Sequence, residues 1–175
     1  MSEVRLEPWG SEDLWLMQRL LGDPQMTEHL GGPESEQKIA ERQARYEQPG
    51  SRQYKVVIDQ PGTAVGAVGY WEKEWRDTTV WEVGWLVLPE HQGRGLASAG
   101  MRALLELVRR DPVPHRFVHA FPSVDNPPSN AICRKLGFEL LEAIDFEYPP
   151  GSGGVLRCND WRLDLDQGGM ESDRR

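Results

Sequence analysis

The sequence predicts an α/β domain with a mixed, mostly antiparallel central sheet, one splayed parallel pair of strands and helices on both faces. Two observations lead to this prediction. Short stretches with alternating or continuous apolar residues interchange along the chain with stretches of helical period. In addition, a strand, a glycine loop, a helix and a second strand follow one another over residues 81–121. A helical crossover of this kind joins parallel strands.

The first half of the chain begins with a short strand at residues 4–9 and a helix that Ser11 is expected to cap. Gly22, Asp23 and Pro24 end that helix, and a loop leads to a second, largely charged helix from Ser35 to about Tyr46. Three strands follow, at residues 54–59, 64–73 and 80–88. The third is almost continuously apolar, which indicates burial on both faces at the centre of the sheet.

The second half begins with an amphipathic helix, whose apolar side is formed by Leu96, Ala97, Met101, Leu104, Leu105 and Val108. A strand at 115–121 follows, and it should run parallel to the strand before the glycine loop. Asn126 and two prolines predict the entrance of another helix, with Ala131, Ile132 and Leu136 facing inward and Gly137 as its C-cap. Strands at 138–148 and 155–165 form a terminal hairpin. We expect one domain over residues 1–167 and a polar, disordered tail at 168–175.

Composition narrows the function classes. The chain has 175 residues, 38% hydrophobic and 27% charged, and no apolar run approaches the ~20 residues of a membrane span. Its N-terminus lacks a signal-peptide pattern, so a cytoplasmic protein is expected. The net charge of −8 argues against a nucleic-acid-binding protein and favours, weakly, a cationic or amine partner.

Metal and disulfide chemistry are not expected. Cys133 and Cys158 lie far apart and form no CxxC pair, and the four histidines show no ligand signature. His115 and His119 would share a face only in a helix, and their segment alternates like a strand.

The loop H-Q-G-R-G-L-A-S, residues 91–98, carries the strongest chemical signal. Glycines allow close backbone approach, and the first N–H groups of the following helix lack intrahelical partners, so a pyrophosphate could accept several of them. Arg94 could add a charge-assisted contact. The alternative is a glycine-rich turn that only starts a helix. The spacing fits neither a Walker loop nor a dinucleotide fingerprint.

Two segments together resemble the GNAT superfamily of acetyl-CoA-dependent N-acetyltransferases. V-L-P-E-H-Q-G-R-G-L-A, residues 87–97, is similar to the pyrophosphate loop of that superfamily. N-P-P-S-N-A-I-C-R-K-L-G-F, residues 126–138, resembles its N-x-x-[AS]-x-x-x-[YCA]-x-K-x-G-F helix. The two segments occur in the right order with one strand between them. The wording looks most like the branch that includes ribosomal-protein N-terminal acetyltransferases.

The resemblance implies a GNAT-like fold and a site for acetyl-CoA as co-substrate, without a metal. The backbone of Leu86, Val87 and Leu88 would pair with the pantetheine as an added strand does, and the Leu88 amide or a neighbour would polarise the thioester carbonyl. Asn126 and Ser129 would contact the pantetheine or the far end of the cofactor. The pyrophosphate would be held by Gln92, Gly93, Arg94, Gly95, Leu96, Ala97 and Ser98.

Candidate catalytic residues follow from the same resemblance. Many members have a tyrosine acid at the position of Cys133, which is either a substitute acid or a small buried residue. A protonated amine needs a base, and Glu82 on the central strand is the first candidate, with Glu72 and His119 next. Glu82 could instead be a structural carboxylate.

The acceptor side is less defined. The segment T-E-H-L-G-G-P, residues 27–33, precedes the second helix, a region that usually shapes the acceptor site in this superfamily, and Glu28 and His29 could hold a cation. Trp71 and Trp85 could line the pocket, although core packing is the alternative. The late loop at 145–151 could face this segment.

The resulting hypothesis is an N-acetyltransferase that transfers an acetyl group to a primary amine of a small molecule or protein N-terminus, by direct attack in a ternary complex. The alternatives are a CoA-binding module without catalysis and a nucleotide-binding protein. A homodimer is left open.

Overall fold

A computed structural model describes residues 3–59, 62–148 and 151–169. They form a seven-stranded sheet with the strand order β1-β2-β3-β4-β5-β7-β6. The strands are β1 Val4–Pro8, β2 Gln53–Ile58, β3 Thr63–Trp75, β4 Thr78–Val87, β5 Phe117–Ala120, β6 Glu139–Glu147 and β7 Val155–Asp164. The helices are α1 Leu14–Leu21, α2 Glu36–Tyr46, α3 Leu96–Arg110 and α4 Pro127–Lys135. Short 3-10 helices occur at Ser11–Asp13, Pro89–His91 and Leu165–Gly169.

The predicted fold class is confirmed. β4 occupies the centre of the sheet and pairs in parallel with β5. The pairs β1–β2, β2–β3, β5–β7 and β6–β7 are antiparallel. The parallel pairing covers Trp81↔Val118 and Glu82↔His119, while β4 continues to Val87.

The backbone divides into two compact units, which are described separately here. One unit consists of Met1–Gly69 and Gly84–Leu105, the other of Tyr70–Val83 and Glu106–Arg175. The prediction of one domain over residues 1–167 stays a prediction, and residues 170–175 of the predicted tail lie outside the described residues.

The first unit has an apolar core between its helices and strands, formed by Trp9, Leu16, Met17, Leu20, Ile39 and Leu88. A buried ion pair lies beside it, since the Lys55 ammonium is 2.9 and 2.8 Å from the two Asp13 carboxylate oxygens. Burial acts to lower the pKa of Lys55, but the hydrogen bond and charge of Asp13 outweigh it and leave that pKa above its ordinary value.

The start of α1 differs from the prediction. Ser11 does not cap the helix but opens a 3-10 turn, Ser11–Asp13. The Gly10 N–H donates to Asp13 Oδ2 at 2.7 Å, so the carboxylate three residues later closes the turn. The second helix matches its prediction, because Ser35 is the N-cap and accepts from the Lys38 N–H.

The second unit contains the antiparallel trio β5-β7-β6 and helix α4. The ends of α4 match the prediction. Asn126 Oδ1 accepts from the Ser129 N–H at 3.2 Å, and Gly137 has φ 84°. Phe138 N–H then donates to Cys133 O at 3.0 Å, which completes a Schellman C-cap. The predicted inner face of α4 was wrong in one position, since Ala131 is exposed and Asn130 and Cys133 are the buried residues.

The Asn130 side chain is buried, and hydrogen bonds to both of its polar atoms compensate for the loss of water. Its Nδ2 donates to Ser123 O at 2.9 Å and to Asn126 O at 2.8 Å. Its Oδ1 accepts from Asn159 Nδ2 and from Trp161 Nε1, both at 2.8 Å. One amide therefore joins α4, the strand β7 and the loop after β5.

Candidate active site

The glycine loop in the first unit has the geometry of an anion cradle. Gly93 and Gly95 adopt φ values of 72° and 76°, which side chains rarely adopt, and a Cβ on either would meet no atom within 4 Å. The first intrahelical bond of α3 runs from Ala99 N–H to Gly95 O at 3.0 Å, so the N–H groups of residues 95–98 precede the ladder. Open space above positively polarised N–H groups fits a pyrophosphate.

The side chains of this loop have different surroundings. Leu96 and Ser98 are buried, so the contribution of Ser98 to an anion would come from its backbone N–H. The exposed Arg94 lies with Nη1 3.2 Å from His91 Nδ1. Gln92 Nε2 donates to Val87 O at 2.9 Å, which ties the turn back to the end of β4.

The 3-10 turn before the loop is fixed by an exposed ion pair. Arg19 Nη1 and Nη2 lie 2.5 and 3.0 Å from the two carboxylate oxygens of Glu90. These hydrogen bonds hold the pKa of Glu90 at about 2, well below its ordinary value. The turn therefore keeps a negative group, one residue before His91, down to more acidic pH than an ordinary glutamate would.

The end of β4 is shaped by close backbone contact. A Cβ at Gly66 would overlap the Leu86 carbonyl oxygen and lie 3.1 Å from Val87 Cα. Leu88 N–H donates to Val65 O at 2.9 Å. A thioester oxygen would have to displace that bond or use a neighbouring N–H, which weakens the expectation that the Leu88 amide polarises the thioester.

Asn126 and Ser129 lie in the second unit, at the start of α4. The Asn126 side-chain oxygen is used for the helix cap, and the Ser129 N–H is its donor. The cap explains an asparagine at this position without a ligand, so cofactor contact by these residues stays a prediction.

A buried acid and histidine form the polar centre of the second unit. The Asp160 side chain is 0% exposed and that of His119 is 5% exposed. His119 Nδ1 donates to Asp160 Oδ1 at 2.6 Å, and Trp75 Nε1 donates to Asp160 Oδ2 at 3.1 Å. The imidazole tautomer that fits a carboxylate at this distance has its hydrogen on Nδ1, which leaves Nε2 as the ring nitrogen for another partner.

Glu82 is the neighbour of His119 across the parallel pair. Its Oε2 accepts from Trp71 Nε1 at 3.1 Å and lies 3.2 Å from Lys73 Nζ. Its side chain is 19% exposed. Trp71 is therefore brought to Glu82 as a partner of the carboxylate and is exposed, and its role in lining an acceptor pocket stays a prediction.

Three aromatic rings lie near the Lys73 ammonium, and we call Trp75, Phe121 and Phe146 the aromatic cage. Their centroids are 4.9, 5.7 and 5.3 Å apart in pairs. Lys73 Nζ lies 5.8, 5.3 and 5.5 Å from the centroids of Trp75, Phe121 and Phe146. Phe121 also stacks on His119, with centroids 5.8 Å apart and an interplanar angle of 18°.

The two cysteines are buried thiols. Burial raises the pKa of Cys133 to about 12. Burial, and then the charge of Glu82, raise the pKa of Cys158 to about 11. An ordinary free thiol has a pKa of about 8.5, so the more tightly held proton of Cys133 would not pass readily to a departing thiolate. These surroundings favour the interpretation of Cys133 as a small packed residue over that of an acid.

The remaining predicted residues have other surroundings within their own units. Glu28 is exposed and His29 is half-buried in a turn closed by Gly32 N–H donating to Thr27 O at 3.1 Å. Trp85 is half-buried on β4 in the first unit. The Glu72 carboxylate lies 2.7 Å from His115 Nε2.

Sequence reasoning missed Lys73, Trp75 and Asp160, and a signal for each was present. Trp71, Lys73 and Trp75 are spaced by two residues on one strand, so they share a face. Asp160 follows Cys158 by two residues on its strand and so shares the face of that cysteine, and a buried carboxylate needs donors. Within the described residues, no cluster of three or more His, Cys, Asp or Glu side chains could hold a metal ion. None of the described helices has the length and apolar character that a membrane crossing requires.

Comparison with known proteins agrees with this geometry. No curated protein matches the chain in sequence. Solved structures with the same fold include a GNAT-family acetyltransferase from Bacillus anthracis, with TM-score 0.77 and 16% identity over 94% of this chain and 96% of that one. AAC(6')-Ib, solved with ribostamycin and coenzyme A, gives 0.73 and 20% over 98% and 99%. Spermidine N-acetyltransferase from Vibrio cholerae, solved with CoA and spermine, gives 0.74 and 16% over 93% and 96%.

The sequence itself carries the family. Residues 3–139 match the Acetyltransferase (GNAT) domain, which is most of the chain. The assignment to the branch of ribosomal-protein N-terminal acetyltransferases stays a prediction. Because this match covers most of the chain, it establishes that the chain belongs to the GNAT acetyltransferase family.

Proposed function

We propose that the chain transfers an acetyl group from acetyl-CoA to a primary amine of a small molecule or a protein N-terminus, by direct attack in a ternary complex. The observation that carries this proposal is the glycine loop. It presents four N–H groups ahead of the first helical bond of α3, with open space over Gly93 and Gly95. In a GNAT family member, such a loop is suited to a pyrophosphate.

Donor binding would belong to the first unit. The N–H groups of residues 95–98 would hold the pyrophosphate, and Arg94 would add a charge-assisted contact if it left His91. The backbone of Leu86 and Val87 would pair with the pantetheine. AAC(6')-Ib and the spermidine N-acetyltransferase were solved with CoA, which supports the same co-substrate here.

The general base would belong to the second unit, and we assign it to His119. Its Nδ1–H is donated to Asp160, so Nε2 is the nitrogen that can accept the proton of an acceptor amine. Glu82 holds Trp71 Nε1 and Lys73 Nζ through Oε2, which is the behaviour of a carboxylate that binds N–H and ammonium groups. We therefore assign Glu82 to binding of the acceptor.

Thiol release tests the function. Purified protein with acetyl-CoA is presented with diamines, aminoglycosides, amino acids and N-terminal peptides, and free CoA thiol is measured. We expect release with at least one amine, loss of about 10²–10⁴-fold in kcat for His119→Ala, and a smaller effect on kcat for Glu82→Gln.

Thermal unfolding with and without CoA separates the outcomes. Protection by CoA without thiol release from any amine would favour a CoA-binding module that does not catalyse. Absence of both CoA protection against unfolding and thiol release would rule out both the acetyltransferase and the CoA-binding module. A larger loss of kcat in Glu82→Gln than in His119→Ala would reassign the base to Glu82.

A further inference from the structure

We propose that the aromatic cage, with Glu82 at its edge, is a binding site for an alkylammonium group of the acceptor that stays charged during the reaction. Lys73 of the chain itself occupies the site in the free protein. This inference rests on the proposed function, and it adds that the acceptor carries at least two basic groups.

The composition of the cage matches the recognition of an alkylammonium ion. Three ring centroids lie within 6 Å of Lys73 Nζ, at 5.8, 5.3 and 5.5 Å. That is the range in which a ring attracts a cation. Glu82 Oε2 adds a negative charge at 3.2 Å. The lysine ammonium therefore marks where an ammonium of a ligand would be held.

The site is open enough for exchange. The Lys73 and Glu82 side chains are 27% and 19% exposed, and the three rings are half-buried. A lysine on a flexible stem can leave such a site without unfolding the strand that carries it. A bound ligand must compete with Lys73, so its apparent affinity is reduced by the fraction of time for which the cage is free.

The aromatic cage suits an ammonium group of the acceptor that is not itself acetylated. Rings and a carboxylate stabilise an ammonium relative to the neutral amine, and only the neutral amine can attack a thioester. An amine held in the cage would be a poor nucleophile. Phe121 contacts both Lys73 and the His119 ring, so a second amine of the same molecule could reach the base. The structure therefore points to a diamine-like acceptor.

Binding of choline, which lacks a primary amine, tests the cage without catalysis. The neutral control ligand is 3,3-dimethyl-1-butanol, which has the same shape without the charge. Binding to wild type and Lys73→Ala is measured by calorimetry in the absence of CoA. We expect the affinity of Lys73→Ala for choline to exceed that of wild type by about 10-fold or more, because the internal competitor is removed. The neutral alcohol should bind both proteins weakly.

Two variants control the experiment. Lys38→Ala removes an equal charge from an exposed position on α2 and should leave choline binding at the wild-type level. Phe146→Leu in the Lys73→Ala background removes one ring and should weaken choline binding several-fold. Equal affinity of wild type and Lys73→Ala for choline would overturn the proposal, and so would equal affinity for choline and the alcohol.

A wild-type measurement keeps the proposal testable if Lys73→Ala fails to fold. Choline is titrated into wild type, and the ring protons of Phe146 and the ammonium of Lys73 are followed by NMR. Displacement of Lys73 should move both sets of signals with choline and neither with the alcohol. Unchanged signals at saturating choline would contradict the proposal. Failure of acetyl transfer, by contrast, would show only in thiol release.

Discussion

His119 and Asp160 form a buried pair in which Nδ1 and Oδ1 are 2.6 Å apart, while Trp75 donates to the second oxygen of Asp160. Both oxygens of the acid are thereby engaged by donors on two other strands. The acid has no exposure of its own, so its chemical effect would act through the histidine. A pair of this kind fixes the tautomer and the orientation of an imidazole.

The pair predicts that Asp160 is a positioning residue. Asp160→Asn should lower kcat for amine acetylation by about 10-fold or more with little change in KM, because the imidazole loses its fixed tautomer. In a His119→Ala background the same change should have no further effect on kcat, since coupled residues are not additive. Asp164→Asn on the same strand is the control. Additive losses in the double variant would show that Asp160 acts only on folding.

Substitutions in the glycine loop should affect folding stability and acetyl-CoA binding, whereas a matched substitution elsewhere should affect stability alone. Gly93→Ala and Gly95→Ala force a side chain into positive φ and should each cost about 1 kcal/mol of folding stability. They should also weaken acetyl-CoA binding. Gly153→Ala is a matched control, with φ 72° and equal open space in a different loop. Chemical denaturation should give similar losses for all three variants, and calorimetry should show weaker acetyl-CoA binding only for the first two.

Gly66 predicts the importance of close packing at the end of β4. A Cβ there meets backbone atoms of Leu86 and Val87, which cannot move aside as a side chain can. Gly66→Ala should therefore cost about 1–3 kcal/mol of folding stability and weaken acetyl-CoA binding. Gly10→Ala is the comparison, since its Cβ would meet only the flexible end of the Glu12 side chain. Wild-type binding and stability in Gly66→Ala would contradict the strand-end contact.

The buried thiols predict an alkaline loss of stability. In the unfolded chain a thiol ionises near its ordinary value of 9.0, but burial raises the pKa of Cys133 to about 12. Between these values the unfolded state has lost the proton and the folded state still holds it. Folding stability must therefore fall as pH rises from about 9.

Thiol titration checks the same point directly. At pH 8 the native protein should react with almost no thiol reagent, and both cysteines should react after denaturation. Cys133→Ser should flatten the alkaline fall of the free energy of unfolding. Rapid labelling of Cys133 in the native protein would show that it is accessible after all.

Asn130 lies within the segment 126–138, and its hydrogen bonds predict a structural role for it. Asn130→Ala would leave the Trp161 indole and the Ser123 carbonyl without this partner. We expect a loss of about 2–4 kcal/mol in the free energy of unfolding. Lys135→Ala on the same helix is exposed and should change that energy little. A loss below about 0.5 kcal/mol for Asn130→Ala would mean that water replaces the amide.

Sequence patterns predicted what depends on local chemistry. Ser35, Asn126 and Gly137 cap helices as their residue types suggest, because a cap needs only its own segment. The glycine loop and the parallel strands followed from spacing in the same way. The branch of ribosomal-protein N-terminal acetyltransferases, the acceptor and the role of each site residue do not follow from local patterns and stay predictions.

Contacts across strands were out of reach of these patterns. Asp160 meets His119 because β7 lies next to β5 rather than at the edge of the sheet, and nothing in the hairpin sequence fixes that order. Ala131 was expected inside because it is apolar, but the inner face of α4 is defined by the partners of Asn130. Lys73 was not singled out from the sequence, because the three rings near its ammonium come from separate segments of the chain.

The lysine in the aromatic cage has a consequence for response to concentration. A tethered cation competes at an effective concentration that its stem sets, about millimolar or higher for short flexible links. Dilution of the surroundings does not weaken this competitor. An enzyme with such an internal occupant would reach half-saturation at a higher amine concentration than the empty site would require. Removing Lys73 would then lower the amine concentration at which the enzyme is half-saturated.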